Sequence, residues 1–141
     1  SGSLKRGAAP TRKTRLRVKS RKAVSDNALD DMCRTLVRHR DDWTCQRCGS
    51  KRAPEWSHVM SRNAKSIQWV PWNSMILCGP KINAYSCHGW WHNNIEAAMT
   101  WWADKFPDRA LALEFWRHAK KHKVDRLATK LWLHQEVAKL R

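Results

Sequence analysis

The sequence predicts an α+β fold, in which a small, cysteine-framed core of two strands is flanked by helices and preceded by a basic arm. Three observations predict it. Four of the five cysteines form two pairs that frame two short strand-like segments. Apolar residues recur at helical spacing on both sides of this core. The first 24 residues carry a dense block of positive charge.

The charge balance points to a polyanionic partner. The chain has 28 Lys+Arg against 12 Asp+Glu, a net charge of +16. Nucleic acid is the usual partner for such an excess. A membrane surface would call for a basic amphipathic helix or a lipidation motif, and the sequence shows neither. It also shows no apolar stretch of membrane-spanning length and no secretory signal, so we expect a cytoplasmic protein without a membrane partner.

Residues 1–24 are predicted to form a flexible basic arm, because residues 4–22 contain nine Lys/Arg and no acid. A solubilising tail is one interpretation of the arm, and contact with phosphates is the other. The candidate phosphate contacts are Arg12, Lys13, Arg15, Arg17, Lys19, Arg21 and Lys22. Residues 25–141 then form one domain, with a core at about 43–104 and a helical extension at 107–141.

The first helix is predicted at about 26–40, with Ser25 or Asp26 as its N-cap. Its apolar stripe contains Cys33, which we interpret as a small core residue rather than a ligand. The strands are predicted at 55–60 and 74–78, between glycines and prolines. Three helices follow at about 87–105, 107–121 and 124–140. The buried candidates of the helix at 87–105 are Trp91, Ile95, Ala98, Met99 and Trp102, and those of the last helix include Leu127, Leu131 and Val137.

The four paired cysteines are predicted to hold a structural zinc ion. Cys45 and Cys48 are separated by two residues, which lets a tight turn present two thiolates to one ion. Cys78 and Cys87 supply the second pair, although the intervening residues 79–86 must loop out. Unliganded thiols are the alternative. A closed site of four thiolates has no open position for substrate, so any chemistry must lie elsewhere.

Histidines and an asparagine lie within and just after the cysteine frame. His58 falls in the first predicted strand, and Asn73 precedes the second. His88 and His92 are one helical turn apart, so their imidazoles can share a helix face as two ligands of one ion. His58 could deprotonate a water molecule near pH 7, and Asn73 could hold its ring through a carbonyl.

Each of these residues also has an ordinary structural interpretation. A histidine on a strand is usually structural or on the surface, and an asparagine before a strand is an ordinary turn residue. His88 or His92 could also replace a cysteine in the zinc site.

Together these residues resemble a known family. The order His58, Asn73, His88 within the cysteine frame resembles the motif of HNH (ββα-metal) endonucleases, with a core similar to that of colicin-type DNases. The segments WTCQRCG, SHVMSRNAKSIQWVPWN and IEAAMTWW more specifically resemble phage-encoded recombination endonucleases of the NinG/Rap type. The resemblance covers about residues 43–104.

The resemblance implies a zinc-framed ββα fold, a catalytic Mg2+ or Mn2+ ion and hydrolysis of phosphodiester bonds in branched or junction-containing DNA. It assigns the general-base role to His58, the orienting role to Asn73 and a metal-ligand role to His88. Many members carry Asp or His just before the base, where this chain has Ser57. Either fewer protein ligands are used, or Glu55 or Asn94 contributes.

Basic residues around these positions are candidate DNA contacts, although a solvated face is the alternative for each. Near the site they are Arg62, Lys65 and Lys81, and a second group contains Arg117, Lys120, Lys121, Lys123 and Arg126.

Other functions and the oligomeric state stay open at this point. The alternatives are a non-catalytic zinc module that binds nucleic acid, an RNase, and an HNH nuclease for packaging or host-DNA cleavage. Junction resolution needs two coordinated cuts, which would favour a homodimer built through the C-terminal helices. A phage-encoded enzyme would act in the cytoplasm of a bacterial host.

Overall fold

The computed structural model of the chain describes residues 24–140, and within them it contains five α-helices and one two-stranded antiparallel sheet. The α+β class is therefore confirmed. In chain order the elements are α1 (Asp26–Arg40), β1 (Pro54–His58), β2 (Ser74–Cys78), α2 (Cys87–Asn93), α3 (Ile95–Lys105), α4 (Pro107–His118) and α5 (Arg126–Ala138). Two short 3-10 helices, Lys65–Ile67 and Pro71–Asn73, lie between the strands.

The predicted basic arm lies outside the described residues, together with its seven candidate phosphate contacts Arg12, Lys13, Arg15, Arg17, Lys19, Arg21 and Lys22. None of the helices in the described part of the chain combines the length and the apolar character that crossing a membrane requires.

Helix α1 begins and ends where the sequence predicts. The Ser25 hydroxyl caps it by accepting a hydrogen bond from the Ala28 amide at 3.2 Å. Cys33 is fully buried on the apolar stripe of the helix, as predicted. Burial raises the pKa of its thiol to about 12, so Cys33 is a neutral core side chain.

The hairpin separates two clusters of buried side chains. Met75 and Leu77 of β2 face a cluster that includes Trp91, whereas Ile76 faces a second cluster with Leu133. Consecutive strand residues point to opposite sides, and β2 is apolar from Met75 to Cys78 because both of its faces are covered. The helices α2, α3 and α4 pack on one side of the hairpin, and α1 and α5 pack on the other.

The residues after α1 cover the outer edge of β2. The Asp41 carboxylate accepts the Ile76 amide at 2.9 Å, and the Gln46 amide donates to the Ile76 carbonyl at 2.9 Å. Arg40 binds Asp41 at 2.8 Å and donates to the Ser74 carbonyl at 2.7 Å. The end of α1 therefore protects a sheet edge that would otherwise present unpaired backbone groups.

Strand β2 matches the prediction, whereas β1 begins one residue earlier than predicted and ends at His58 rather than at residue 60. The strand ends early because the Met60 amide donates to the Asn73 side chain, at 2.8 Å, instead of to a backbone partner.

The predicted single helix at 87–105 is two helices, α2 and α3, separated at Asn94. The side chains of Asn93 and Asn94 donate to the carbonyls of Gly89 and Trp90 at 2.8 and 3.2 Å, which competes with helix propagation. As a result Ile95, predicted to be buried, is exposed.

The C-terminal helices are shorter than predicted, and one buried face was assigned incorrectly. Helix α4 ends at His118, and α5 begins after the N-cap Asp125. Leu127 and Leu131, predicted to be buried, are each 58% exposed, whereas Leu133 is fully buried against α1. Leu127 and Leu131 are four residues apart and share the solvent face of the helix.

Candidate functional site

Four cysteines meet at the junction between the hairpin and α2. Cys45 and Cys48 lie on the turn after α1, Cys78 ends β2 and Cys87 begins α2. Their sulfur atoms all lie within 4.8 Å of one another, and those of Cys48 and Cys78 are 3.7 Å apart. Tetrahedral zinc with Zn–S bonds of about 2.3 Å separates its sulfurs by about 3.8 Å. The cluster could therefore hold a metal such as zinc, and neither His88 nor His92 belongs to it.

The surroundings of the cluster favour a thiolate at Cys45, whereas burial raises the pKa of Cys78 and raises that of Cys87 to about 12. Burial opposes ionisation of Cys45, but backbone hydrogen bonds, among them one from the Cys48 amide, lower its pKa to about 7. The Cys87 amide lies 3.4 Å from the Cys78 sulfur, and the Arg47 guanidinium lies 3.4 Å from the Cys87 sulfur. One cation beside the cluster partly offsets the negative charge that four thiolates would leave around a divalent ion.

The three predicted site histidines line one cleft of about 700 Å³. His58 enters it from the end of β1, and His88 and His92 enter it from α2. The rings of His88 and His92 have centroids 5.1 Å apart, as expected of two side chains on one helix face. The fold thus brings together residues separated by up to a quarter of the chain.

The His58 ring is oriented by a backbone carbonyl. Its Nε2 atom lies 2.9 Å from the Gln68 carbonyl oxygen, which can only accept, so Nε2 carries the proton and Nδ1 is the acceptor. Burial lowers the pKa of His58, and the nearby charge of Arg62 lowers it further against the opposing effect of the Gln68 carbonyl. His58 is therefore neutral near pH 7, the form that a general base requires.

Contrary to the prediction, Asn73 does not hydrogen-bond to the His58 ring. The asparagine is fully buried, and its Oδ1 atom accepts the Met60 amide at 2.8 Å. Its Nδ2 atom donates to the carbonyls of Met60 and Ile67, both at 3.2 Å. Asn73 thereby ties together the strand connection that carries the Gln68 carbonyl. Asn73 therefore fixes the shape of this loop.

Glu55 orients His88. One carboxylate oxygen lies 2.7 Å from His88 Nδ1 and also accepts the Lys81 amide at 3.0 Å. A carboxylate on one ring nitrogen fixes the imidazole and leaves the other nitrogen free to bind a metal. Gly79 makes room for this carboxylate, because a Cβ at Gly79 would lie 2.2 Å from it.

Ser57, the residue before His58, supplies no ligand to the cleft. Ser57 is fully buried, and its hydroxyl has no hydrogen-bond partner among residues 24–140. Asn94, one candidate substitute, bonds the Trp90 carbonyl and does not line the cleft. Glu55, the other candidate, contacts His88 instead. The candidate ligands that the described residues supply to the cleft are thus His88 and His92. Burial and the charge of Lys81 lower the pKa of His92.

The predicted basic contacts separate into two groups. Arg62 and Lys81 line the cleft, whereas Lys65 lies in a 3-10 helix outside it. Arg62 is also paired with Asp30, which accepts the Trp69 indole N–H at 2.8 Å. Arg117, which the sequence placed in a separate C-terminal group, also lines the cleft. The packing of α4 brings Arg117 to the cleft, so its position could not be predicted from the sequence.

Comparison with protein-family models, with curated proteins and with solved structures finds no match to this chain. The cleft combines a neutral imidazole with an acceptor nitrogen, two further imidazoles of which one is oriented by a carboxylate, and three cationic side chains. Such a set can bind a phosphodiester, bind a divalent ion and accept a proton.

Proposed function

We propose that this protein is a metal-dependent endonuclease of the HNH kind, which hydrolyses phosphodiester bonds in branched or junction-containing DNA. The observation that carries the proposal is the meeting of His58, in its neutral form, with His88 and His92 in one basic cleft. Spacing along the chain cannot guarantee this meeting, because the three side chains belong to two separate elements.

The residues of the cleft would divide the reaction among them. Arg62, Lys81 and Arg117 would bind the phosphates that flank the scissile bond. His58 Nδ1 would take a proton from water as the water oxygen bonds to phosphorus. The phosphorus–oxygen bond to the leaving group then breaks, and the leaving oxygen takes the bonding electrons and a proton from solvent.

His88 and His92 would hold the catalytic ion, and Glu55 would keep the His88 ring in place. When bound, Mg2+ or Mn2+ supplies electrostatic stabilisation for the charge on the reacting phosphate. We propose that zinc at the four cysteines has a structural role only, because four thiolates leave it no open position. The positive charge of the whole chain, +16, would draw the DNA to the cleft.

The decisive test compares the wild type with His58→Ala on plasmid and on a four-way junction, each with Mg2+ or Mn2+. We expect His58→Ala to lower the cleavage rate by about 10² to 10⁴, the usual contribution of a general base. His134→Ala is the matched control, because His134 is exposed on α5 outside the cleft. Zinc content measured on all three proteins shows whether the scaffold is intact.

The outcomes separate the parts of the proposal. If the wild type cleaves neither DNA with either ion, the enzyme proposal is wrong and a binding module is favoured. If His58→Ala cleaves as fast as the wild type, the base assignment is wrong. Preferential cleavage of RNA in a parallel assay would favour the RNase alternative over a DNA endonuclease.

A further inference from the structure

The loop at residues 79–86 carries two apolar side chains that nothing in the described structure covers. Ile82 is 93% exposed and Tyr85 is 97% exposed, the two highest values among the exposed large hydrophobic residues described. A single exposed apolar residue is ordinary in a soluble protein. Two of them on one loop beside a cleft of catalytic character call for an explanation.

This loop is held in shape without help from either side chain. It runs between Cys78 and Cys87, so both ends are anchored in the sulfur cluster. The Ser86 hydroxyl donates to the Pro80 carbonyl at 2.7 Å. The Asn83 carbonyl packs so closely on α2 that a Cβ at Gly89 would lie 1.9 Å from it. The loop therefore presents Ile82 and Tyr85 from a preformed frame.

The position of the loop indicates what covers these side chains. Lys81, the residue before Ile82, lines the cleft together with His88 and His92, so the loop forms part of the cleft wall. Arg62 and Arg117 line the same cleft. Ile82 directly follows Lys81 in the chain, so an anionic partner bound at Lys81 would lie close to this loop. DNA is a polyanion that also offers flat apolar surfaces, the faces of its bases, for an aromatic ring to stack on.

We propose that Tyr85 stacks on an exposed base face of the DNA substrate and that Ile82 packs beside it, so that the loop selects DNA with a branch point or unpaired bases. The inference rests on the proposed function and specifies its substrate class. In a continuous duplex the base faces are covered by their neighbours. Opening a base step there costs about as much free energy as one stacking contact returns. At a branch point the base face is already accessible, so the contact adds affinity.

The test measures binding separately from cleavage. In a His58→Ala background, which prevents cutting, we compare the double variant Ile82→Ala/Tyr85→Ala with the unsubstituted loop on two DNAs. These are a four-way junction with 2-aminopurine at the branch point and a linear duplex of the same length. We expect the double substitution to weaken junction binding about tenfold, to leave duplex binding within about twofold, and to remove the 2-aminopurine fluorescence change. Tyr85→Phe keeps the ring and should behave as its parent.

Phe115→Ala is the matched control, since Phe115 is an aromatic residue 78% exposed on α4 and away from the cleft. Unchanged junction binding by the double variant would overturn the inference while leaving the nuclease proposal standing. An equal loss on both DNAs would also overturn it, because the loop would then not discriminate. The nuclease proposal is tested separately: it fails if the protein with His58 intact does not cleave DNA.

Discussion

The sulfur cluster and the histidine cleft share the first turn of α2 but differ in how they are built. Cys87 contributes its sulfur to the cluster, and the next residue, His88, turns its ring to the cleft. The cluster brings four identical ligands within 4.8 Å of one another. The cleft instead gives each imidazole a different partner, the Gln68 carbonyl for His58 and the Glu55 carboxylate for His88.

Under the proposed function, this difference separates stability from chemistry within one small domain. A closed set of four thiolates can bind a metal tightly and hold three chain segments together. An open set of imidazoles binds a metal less completely and leaves room for substrate. Because the two regions meet at adjacent residues, the scaffold directly determines where the chemical groups lie. Substitutions in the two regions should therefore fail in different ways.

The largest effect is expected from breaking the cluster with Cys78→Ser. Structural zinc in small domains contributes about 10–16 kcal/mol of apparent binding free energy, so its loss should unfold the core. Circular dichroism, tryptophan fluorescence and zinc content measure this. Cys33→Ala is the control, since Cys33 is buried outside the cluster, and it should keep its zinc and lose only about 1 kcal/mol. A folded, zinc-free Cys78→Ser protein would show that the cluster is not structural.

The next largest effect is expected from Asn73→Ala. It leaves the Met60 amide and the Ile67 carbonyl without their buried partner, at a cost of about 1–3 kcal/mol for each group. Urea denaturation measures the loss of stability, and 15N chemical shifts of the His58 ring report whether Nε2 keeps its proton. Asn63→Ala, on an exposed residue of the same loop, should change neither quantity. A stable variant with an altered ring tautomer would instead indicate a direct contact between Asn73 and the ring.

A smaller effect is expected from Glu55→Gln, which keeps the size of the side chain but removes its charge. Substitution of such an outer partner typically lowers metal affinity by about 10 to 100-fold. Titration with Mn2+ followed by electron paramagnetic resonance measures this at the cleft, and zinc content should stay constant. Glu114→Gln, on an exposed carboxylate of α4, should leave Mn2+ affinity unchanged. Loss of zinc together with unchanged Mn2+ affinity would show that Glu55 supports the cysteine cluster and not the metal of the cleft.

The smallest effect is expected from pH. Burial lowers the pKa of His58 below its ordinary value of 6.5, so the base stays neutral as pH falls to that value. Cleavage should therefore be constant near pH 7 and fall only as pH drops through the lowered pKa, below 6.5. Single-turnover rates from pH 5 to 8 measure this profile, with circular dichroism at each pH to exclude unfolding. An inflection above pH 7 would contradict the neutral-base assignment.

Local features of the structure were predictable because their causes are local. Helix α1 and strand β2 have the predicted bounds. The signals that predict them, the N-cap Ser25 and the period of the apolar residues, act within a few residues. The helix break at Asn94 escaped prediction, because two asparagine side chains outweigh an uninterrupted apolar period. The buried face of α5 was also predicted incorrectly, since Leu131 and Leu133 are equally apolar. Only the contact with α1 determines that Leu133 is buried and Leu131 is exposed.

By itself the sequence determined the charge of the chain, the chemistry of the available ligands and the spacing that lets cysteines and histidines act in pairs. Only the tertiary structure decided which distant groups meet. It placed the Gln68 carbonyl on His58, the Glu55 carboxylate on His88 and Arg117 in the cleft. Among residues 24–140 it also left Ile82 and Tyr85 uncovered. The physical reason is that ligand type and local period are properties of neighbouring residues, whereas these contacts depend on how separate elements pack.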